Sequence, residues 1–585
     1  MMQKHGFNNY IDFWKWSVQY KNDFWSETID NLDIKLSKPF STILDLSKGV
    51  EEPQWLKGAQ LNIVDSCFQN DDEATAIIFQ KEGGKIQKVS QKNLEELVHK
   101  IANSFRNFDV NKGDSIAIDM AMTVEAVAIY LAAIKAGITV VTIADSFTSN
   151  EIAIRLKITK PKLVFTQNVL LRAGKILPLY SKVLKANAPQ TVVINVTDEN
   201  IKLRVDDIFW DFFLSDNTSF KSVPQHPDDI ITILFSSGTT GEPKAIPWTH
   251  TTPIKSASDG YYHHNIQKND VVCWPTNLGW MMGPWLIFAT LINKGTIALY
   301  YGAPLNRAFG EFVQDAKVNM LGIVPSIVKH WKKTQCNENL DWNAIKCFSS
   351  TGEASNPSEM EYLMLLANNK PVIEYCGGTE IGGGYVTSTL VQPNIASTFS
   401  TQALGGEFVL LDDENKPSDK GELFLIPPIM GLSNSLLNRN HHEVYFKDTP
   451  SYKGQKLRRH GDQLQRLENG YYKAQGRVDD AMNLGGIKVS SVQIEMLLTT
   501  LNFIKESAAI AVSPVGGGAS LLVIYYVEND SELSKEERLK ATNQLIKTDL
   551  NPLFKVTEMI EIEALPRTAS GKVMRRKLRN KYESC

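Results

Sequence analysis

The chain has 585 residues, 43% of them hydrophobic and 22% charged, with a formal net charge of −3. That length exceeds what one ordinary core holds and predicts two or more domains. The near-neutral balance excludes a bulk electrostatic grip on nucleic acid or on an anionic membrane, so an anion must be held locally.

The N-terminal residues MMQKHGFNNYIDFWKW lack the apolar core of a signal peptide. Phe13, Trp16, Tyr20 and Phe24 recur at helical spacing and are expected to pack into a core. The most apolar region, 116–143, is interrupted by Asp119, Glu125 and Lys135 and is not a membrane span. Its pattern predicts a strand at 115–122, a helix at 123–137 stopped by a glycine, and a strand at 138–144. Strand-like runs recur at 230–236 and 319–326. The expected fold class is α/β, with buried parallel strands and covering helices. The segment 469–490 is dense in glycine and charge; a helix (491–501), two apolar strands and a Lys-rich tail follow. This places a domain boundary near 477–480, a surface hairpin inside one domain being the alternative. The six cysteines include no pair at the spacing of a zinc or redox motif. That predicts a reducing setting, with the cytoplasm as default, and the terminal Glu-Ser-Cys is neither a retention nor a peroxisomal address.

The stretch SSGTTGEPKAIPWTH (236–250) follows an apolar strand. Gly238 and Gly241 let the main chain approach a ligand, and consecutive N–H groups then form a concave anion site. Ser236, Ser237, Thr239 and Thr240 add hydroxyls, and Lys244 adds a charge. A polar turn without ligand is the plainer alternative. The glycines are too close together for a mononucleotide P-loop, and Lys244 is followed by Ala245 rather than Ser or Thr. The adjacent pairs His263–His264 and His441–His442 diverge on either helix or strand, which makes shared metal ligation awkward.

This loop resembles the phosphate loop of the adenylate-forming superfamily: acyl-CoA synthetases, luciferases and peptide-synthetase adenylation domains. Five further stretches follow in that family's order: STGEA (350–354), GGTE (377–380), HGD (460–462), GRVDD (476–480) and PRTASGKVMRR (566–576). WLKGAQLN (55–62) is similar to the acetyl-CoA synthetase branch. Together they cover nearly the whole chain. The resemblance implies a large N-terminal domain, 1–478, that binds ATP and the acyl group, and a small mobile C-terminal lid, 479–585. It implies that Ser237, Gly238, Thr239, Thr240, Gly241 and Lys244 hold the triphosphate of ATP. Gly352, Glu353 and Ala354 would line the adenine, Thr379 would meet the α-phosphate, and Glu380 would hold Mg²⁺. Asp462 would bind the ribose with Arg477 assisting, Lys488 would lie near the nucleotide, Asp479 would be the hinge, and Lys572 the catalytic lysine.

The implied reaction is ATP-dependent activation of a carboxylic acid to an acyl-adenylate, then thioester formation with CoA, releasing AMP and pyrophosphate. Two departures matter. Many members carry an adenine-stacking aromatic where this chain has Cys376; Tyr375 is the nearby aromatic, although a strand neighbour faces the other way. Acetate-specific members carry a tryptophan where this chain has Gly377, so an open pocket and a longer acid are expected, with Trp280, Met281, Met282 and Thr351 as further pocket residues. Gly485 and Gly486 fall near the CoA position, and the basic tail 572–581 either meets CoA phosphates or is a solvated helix. The alternatives are an acetate–CoA ligase, transfer to a carrier-protein pantetheine, and a nucleotide-binding regulator without catalysis.

Overall fold

The structure is a computed structural model that describes the chain except residues 198–200, 237–241, 413, 478–480, 515–518, 530–531, 568–572 and 584–585; at 476, 477, 481, 488, 492 and 576 only the backbone is described. Helix α1 (Tyr10–Gln19) is capped by Asn9, whose side chain accepts from Asp12 N. A second helix, Lys21–Asn31, starts at once. The break falls at Tyr20, which is 48% exposed, while Phe13 and Phe24 are buried. The expected aromatic stripe is therefore corrected at that one position, because a kink ends the helical period.

A seven-stranded sheet runs in the order Ile208–Phe209, Thr191–Ile194, Leu163–Gln167, β1 (Ser115–Asp119), β2 (Thr139–Ile143), β3 (Ile230–Ser236), β4 (Lys244–Thr249). β1 to β3 pair in parallel, and β4 turns back antiparallel on β3. Helix α2 (Val124–Lys135) crosses from β1 to β2; Thr123 caps it and Gly137, at φ +76°, turns the chain out. The expected βαβ unit is present, with the first strand ending at Asp119. The loop 237–241 joins a hairpin, so Ser236 and Lys244 face each other in register.

Helix α3 (Thr252–Tyr262) and helix α4 (Met282–Leu291) pack together between the sheets. A nine-stranded sheet follows, parallel in its middle through β5 (Met320–Ile323), β6 (Cys347–Ser350) and β7 (Val372–Gly378). β8 (Gly383–Thr387) then turns back antiparallel on β7. Short helix α5 (His441–Tyr445) precedes β9 (Arg458–Arg466), which pairs with β10 (Tyr472–Arg477) in a four-stranded antiparallel sheet. Beyond 480 come a hairpin, a helix Ser491–Leu498 shorter than expected, and a three-stranded sheet built on Ile504–Val512, Leu521–Glu528 and Val556–Glu561. Ile494, Leu498, Ile504, Leu522 and Ile546 form a core there, and Trp280 packs against it from the earlier chain. Among the described residues no helix is long and apolar enough to cross a membrane.

Asp119 ends β1 fully buried, and among the described residues neither carboxylate oxygen has a hydrogen-bond partner. Burial pushes its carboxyl up to about 7, with Lys182 opposing and Asp145 adding to the shift. The folded chain thus holds this proton more tightly than the unfolded chain. Its contribution to stability is intact below about pH 4 and is lost as pH rises to about 7, a loss on the order of 2–4 kcal/mol. Asp119→Asn is expected to raise the melting temperature at pH 8 and to shrink the difference between pH 5 and pH 8. An unchanged difference in thermal melts would assign the pH dependence elsewhere.

Candidate functional site

A cavity of about 570 Å³ opens beyond the C-terminal ends of the parallel strands of the second sheet, bounded by the segment 274–282, Tyr385, Asp462 and the glycines 485 and 486. Such a crevice is where open α/β sheets bind ligands. One flank is built by the two edge hairpins. Lys244, from β4, places Nζ 3.0 Å from Glu380 Oε1, just past β7; both side chains are nearly buried. Ser236 Oγ lies 3.4 Å from the same oxygen and Tyr445 OH donates to it at 3.2 Å. The Tyr445 ring has Lys244 Nζ 5.0 Å and the Arg458 guanidinium 4.0 Å from its centroid. Backbone bonds fix this corner: Ser433 N donates to Glu380 O at 2.7 Å, and Trp248 Nε1 donates to Thr379 O at 2.7 Å. An all-oxygen set of carboxylate and hydroxyls beside a cation suits a hard divalent ion carried by phosphates. Tyr445, Arg458 and Ser433 escaped sequence reasoning because no phosphate-loop or acidic motif includes them.

The other flank centres on Asp462. Tyr385 OH donates a short hydrogen bond to Asp462 Oδ2, and His460 Nε2 lies 3.4 Å from that oxygen. Cys376 Sγ sits 3.0 Å from Tyr385 OH and 3.9 Å from Asp462 Oδ2, so the thiol belongs to this polar corner. Arg477 is paired opposite Asp462 in the β9–β10 ladder. Tyr375 is a correction. Strand alternation turns its ring away from Cys376 into the core, where it is 1% exposed and its hydroxyl donates to Asp259 at 2.6 Å. It borders the cavity without offering a ring to stack on a base.

Gly352, at φ +89°, turns the segment 350–354; Glu353 Oε2 accepts from Ser326 N at 2.9 Å, and burial raises its carboxyl. Asn483 donates a short hydrogen bond to Gly352 O, and a Cβ on Gly352 would come within 3.5 Å of Gly486. The glycine turn at 485–486 (φ +61° and +80°) therefore lies directly on that segment. Glu374, which the sequence reading missed, also borders the cavity; Ser355 Oγ donates to it at 2.6 Å, and burial pushes it up to about 7.

Trp280, Met281, Met282 and Thr351 all border the cavity, and Trp280 packs edge-on against Phe147 at 5.3 Å. Gly377 also borders it, but the reason expected for that glycine is corrected. A Cβ there would lie 1.8 Å from Gly383 O, so the position points at the neighbouring strand rather than into open volume. The basic tail forms helix Arg575–Glu583, in which Arg575 pairs with Glu495 at 2.6 Å and Arg579 donates to Ala511 O. The histidine pairs diverge: His263 faces Asp259, His264 faces Ser349, and His442 faces Glu51. Ser237, Gly238, Thr239, Thr240, Gly241, Asp479 and Lys572 lie outside the described residues, as does the side chain of Lys488, whose backbone pairs with Asn483.

The family described as AMP-binding enzyme matches residues 65–430, and the acetyl-coenzyme A synthetase N-terminus matches residues 10–67. Hexanoyl-CoA synthase of Cannabis sativa is 45% identical, over 99% of this chain and 84% of its own length. The probable acyl-activating enzyme 17, peroxisomal, of Arabidopsis thaliana is 44% identical over 98% and 83%. An acetyl-coenzyme A synthetase of Pseudoalteromonas atlantica is 27% identical over 98% and 93%. Among solved structures, acetoacetyl-CoA synthetase from Streptomyces lividans shares the fold, with a TM-score of 0.76 at 22% identity over 99% of this chain and 91% of that one. The chain belongs to the AMP-binding enzyme family, among its acyl-CoA synthetases.

Proposed function

We propose that the protein joins a carboxylic acid longer than acetate to AMP and passes the acyl group to CoA. The observation that carries this reading is the meeting of Lys244 and Glu380 at Ser236, which borders a cavity that Asp462 and Tyr385 border as well. A carboxylate is a poor acyl donor, and it repels the triphosphate it must approach. Catalysis therefore depends on placement and on cations near the developing charge. Lys244 faces the phosphates and Thr379 the α-phosphate, while Asp462 takes the ribose hydroxyls. Glu380 would hold Mg²⁺, which neutralises phosphate charge when bound. The acid's oxygen bonds to the α-phosphorus and pyrophosphate leaves; the CoA thiol then bonds to the acyl carbon and AMP leaves.

Residues 479–585 are proposed to act as a lid turning about Asp479, bringing Lys572 to the cleft for the first step and removing it for the second. The contact of Asn483 with Gly352 favours a C-terminal unit seated on the adenine segment. A longer acid is favoured by the methionine-lined wall, whose flexible side chains adapt to a chain. The 45% identity to a hexanoyl-CoA synthase, against 27% to an acetyl-coenzyme A synthetase, points the same way. Among the described residues no two cysteines form a disulfide, which suits a reducing interior such as the cytoplasm.

Pyrophosphate exchange across straight-chain acids of graded length is expected to peak beyond acetate; a maximum at acetate would overturn the substrate reading. In the same panel Met281→Ala should move the optimum to longer acids. Gly377→Ala should depress all acids alike, because it collides with β8 rather than filling the pocket. Lys572→Ala is expected to slow adenylation at least about 100-fold, by analogy with other lost charge stabilisers, while thioester formation from a supplied acyl-adenylate is spared. Equal loss in both half-reactions would refute the division of labour between them.

A further inference from the structure

Behind the cleft lies a charged network that the reaction itself does not use. Asp259, in the second half of α3, has a 1% exposed side chain, as do Lys255 and His263 beside it. Its Oδ1 takes Lys255 Nζ at 2.5 Å, with His263 Nε2 at 3.5 Å. Its Oδ2 accepts from Tyr375 OH at 2.6 Å and from Gly384 N at 2.8 Å. Tyr375 belongs to β7 and Gly384 to β8, so one carboxylate oxygen ties both strands of the hairpin that carries Cys376, Thr379 and Glu380. Trp285 Nε1 donates to Tyr375 OH at 3.1 Å from the opposite helix, α4. Tyr10 OH, from α1, lies 3.3 Å from His263 Nδ1 and closes the network at the N-terminal segment.

The surrounding backbone is cut to fit these groups. A Cβ on Gly383 would lie 2.5 Å from Asp259 Oδ2, one on Gly384 would lie 2.6 Å from the Tyr375 ring, and one on Gly431 would lie 2.7 Å from the Lys255 side chain. Taking an ion pair this far from water costs several kcal/mol per ion, and an apolar pair of the same volume often stabilises a fold as well or better. The gain here is directional. The hairpin has a register irregularity between Cys376 and Gly377. An apolar contact cannot fix where the strands sit on either side of such a bulge, whereas two hydrogen bonds to one oxygen can.

We infer that Asp259 is a positioning residue for the nucleotide site, setting the β7–β8 hairpin through Tyr375 and Gly384 so that Cys376 to Glu380 stand at the height the nucleotide requires. The inference rests on the nucleotide reading above. Supporting groups of this kind decide whether a site is held to within a fraction of an ångström. On the CoA side of the cleft, the glycine turn at 485–486 lies against Val324 and Gly352, outside this network among the described residues.

The test uses the full chain, with Tyr375→Phe, Asp259→Asn and the double variant. Each is assayed for pyrophosphate exchange with ATP varied, for thioester formation with CoA varied, for AMP affinity by calorimetry, and for melting temperature. Tyr375→Phe removes one hydrogen bond to a charged group and is expected to raise KM for ATP about tenfold, with AMP affinity falling alike. KM for CoA should stay within about twofold. Asp259→Asn should do more, and the double variant should match Asp259→Asn alone, because the hydroxyl acts through the carboxylate. If Asp259→Asn does not fold, Tyr375→Phe decides by itself. A lowered melting temperature with unchanged KM for ATP, or parallel rises in KM for ATP and CoA, would reduce the network to structure and overturn the inference. A wild-type chain without pyrophosphate exchange overturns the functional reading instead, and AMP affinity then still decides for Asp259.

Discussion

Lys244 and Glu380 face each other across 3.0 Å, and the rest of the cleft is arranged about that pair. Each residue comes from an antiparallel hairpin flanking a parallel run of strands: Lys244 from the edge of the seven-stranded sheet, Glu380 from the turn of β7 into β8 in the nine-stranded one. Parallel strands need long crossovers and bring their ends to one side, but they cannot reverse within a few residues. The two hairpins supply those reversals where the sheets approach each other. With both side chains nearly buried, the pair is poorly screened, and each partner would be costly to leave alone. Under the proposed function, a polyphosphate entering this corner would offer the lysine a new partner and bring its own cations for the carboxylate. Exchange of one ion pair for two then avoids an unpaired intermediate state. Tyr445 steadies that exchange, since its hydroxyl reaches Glu380 while its ring faces both Lys244 and Arg458.

The same economy of space appears along the walls. The indole of Trp274 lies where a Cβ on Gly322 would be, 2.0 Å from the nearest ring atom, so β5 is bare just where the ring covers it. Gly279 brings the segment 276–283 against the backbone of Ala144, 2.2 Å from its absent Cβ position, and Gly283 lets the segment fold onto its own Asn277, at 2.3 Å. The wall that carries Trp280, Met281 and Met282 is thereby packed tightly on the end of β2. Its side chains face the cavity because its backbone has nowhere else to go.

Much of this was legible in the sequence, for identifiable reasons. The β1–α2–β2 unit announced itself through periodicity and a glycine stop, and β3 matched its expected limits at 230–236. The motif residues Asp462, Glu380, Lys244 and Gly352 come together at one cleft because each motif is local and its chemistry is carried by residue type. What escaped is of another kind. Tyr445, Tyr385, Arg458 and Asp259 act through contacts between segments 65 to 116 residues apart or through plain burial, and no local pattern encodes those. Tyr20 escaped because helical spacing does not reveal where a helix breaks. The reasoning at Gly377 failed for a related cause: an absent side chain leaves room only along the direction it would have taken, and that direction is set by the opposing strand.

Cys376 and Tyr375 bring these points together. Two adjacent residues on one strand face opposite ways, so the thiol enters the corner of Asp462 and Tyr385 while the phenol enters the buried network of Asp259. Were the two exchanged, the aromatic ring would reach the nucleotide face, but the hairpin would lose the hydroxyl that ties it to α3. The chain instead keeps its aromatic residue for anchoring the hairpin and leaves a small, polarizable group beside Asp462. Any stacking surface for adenine must then come from elsewhere in the cleft.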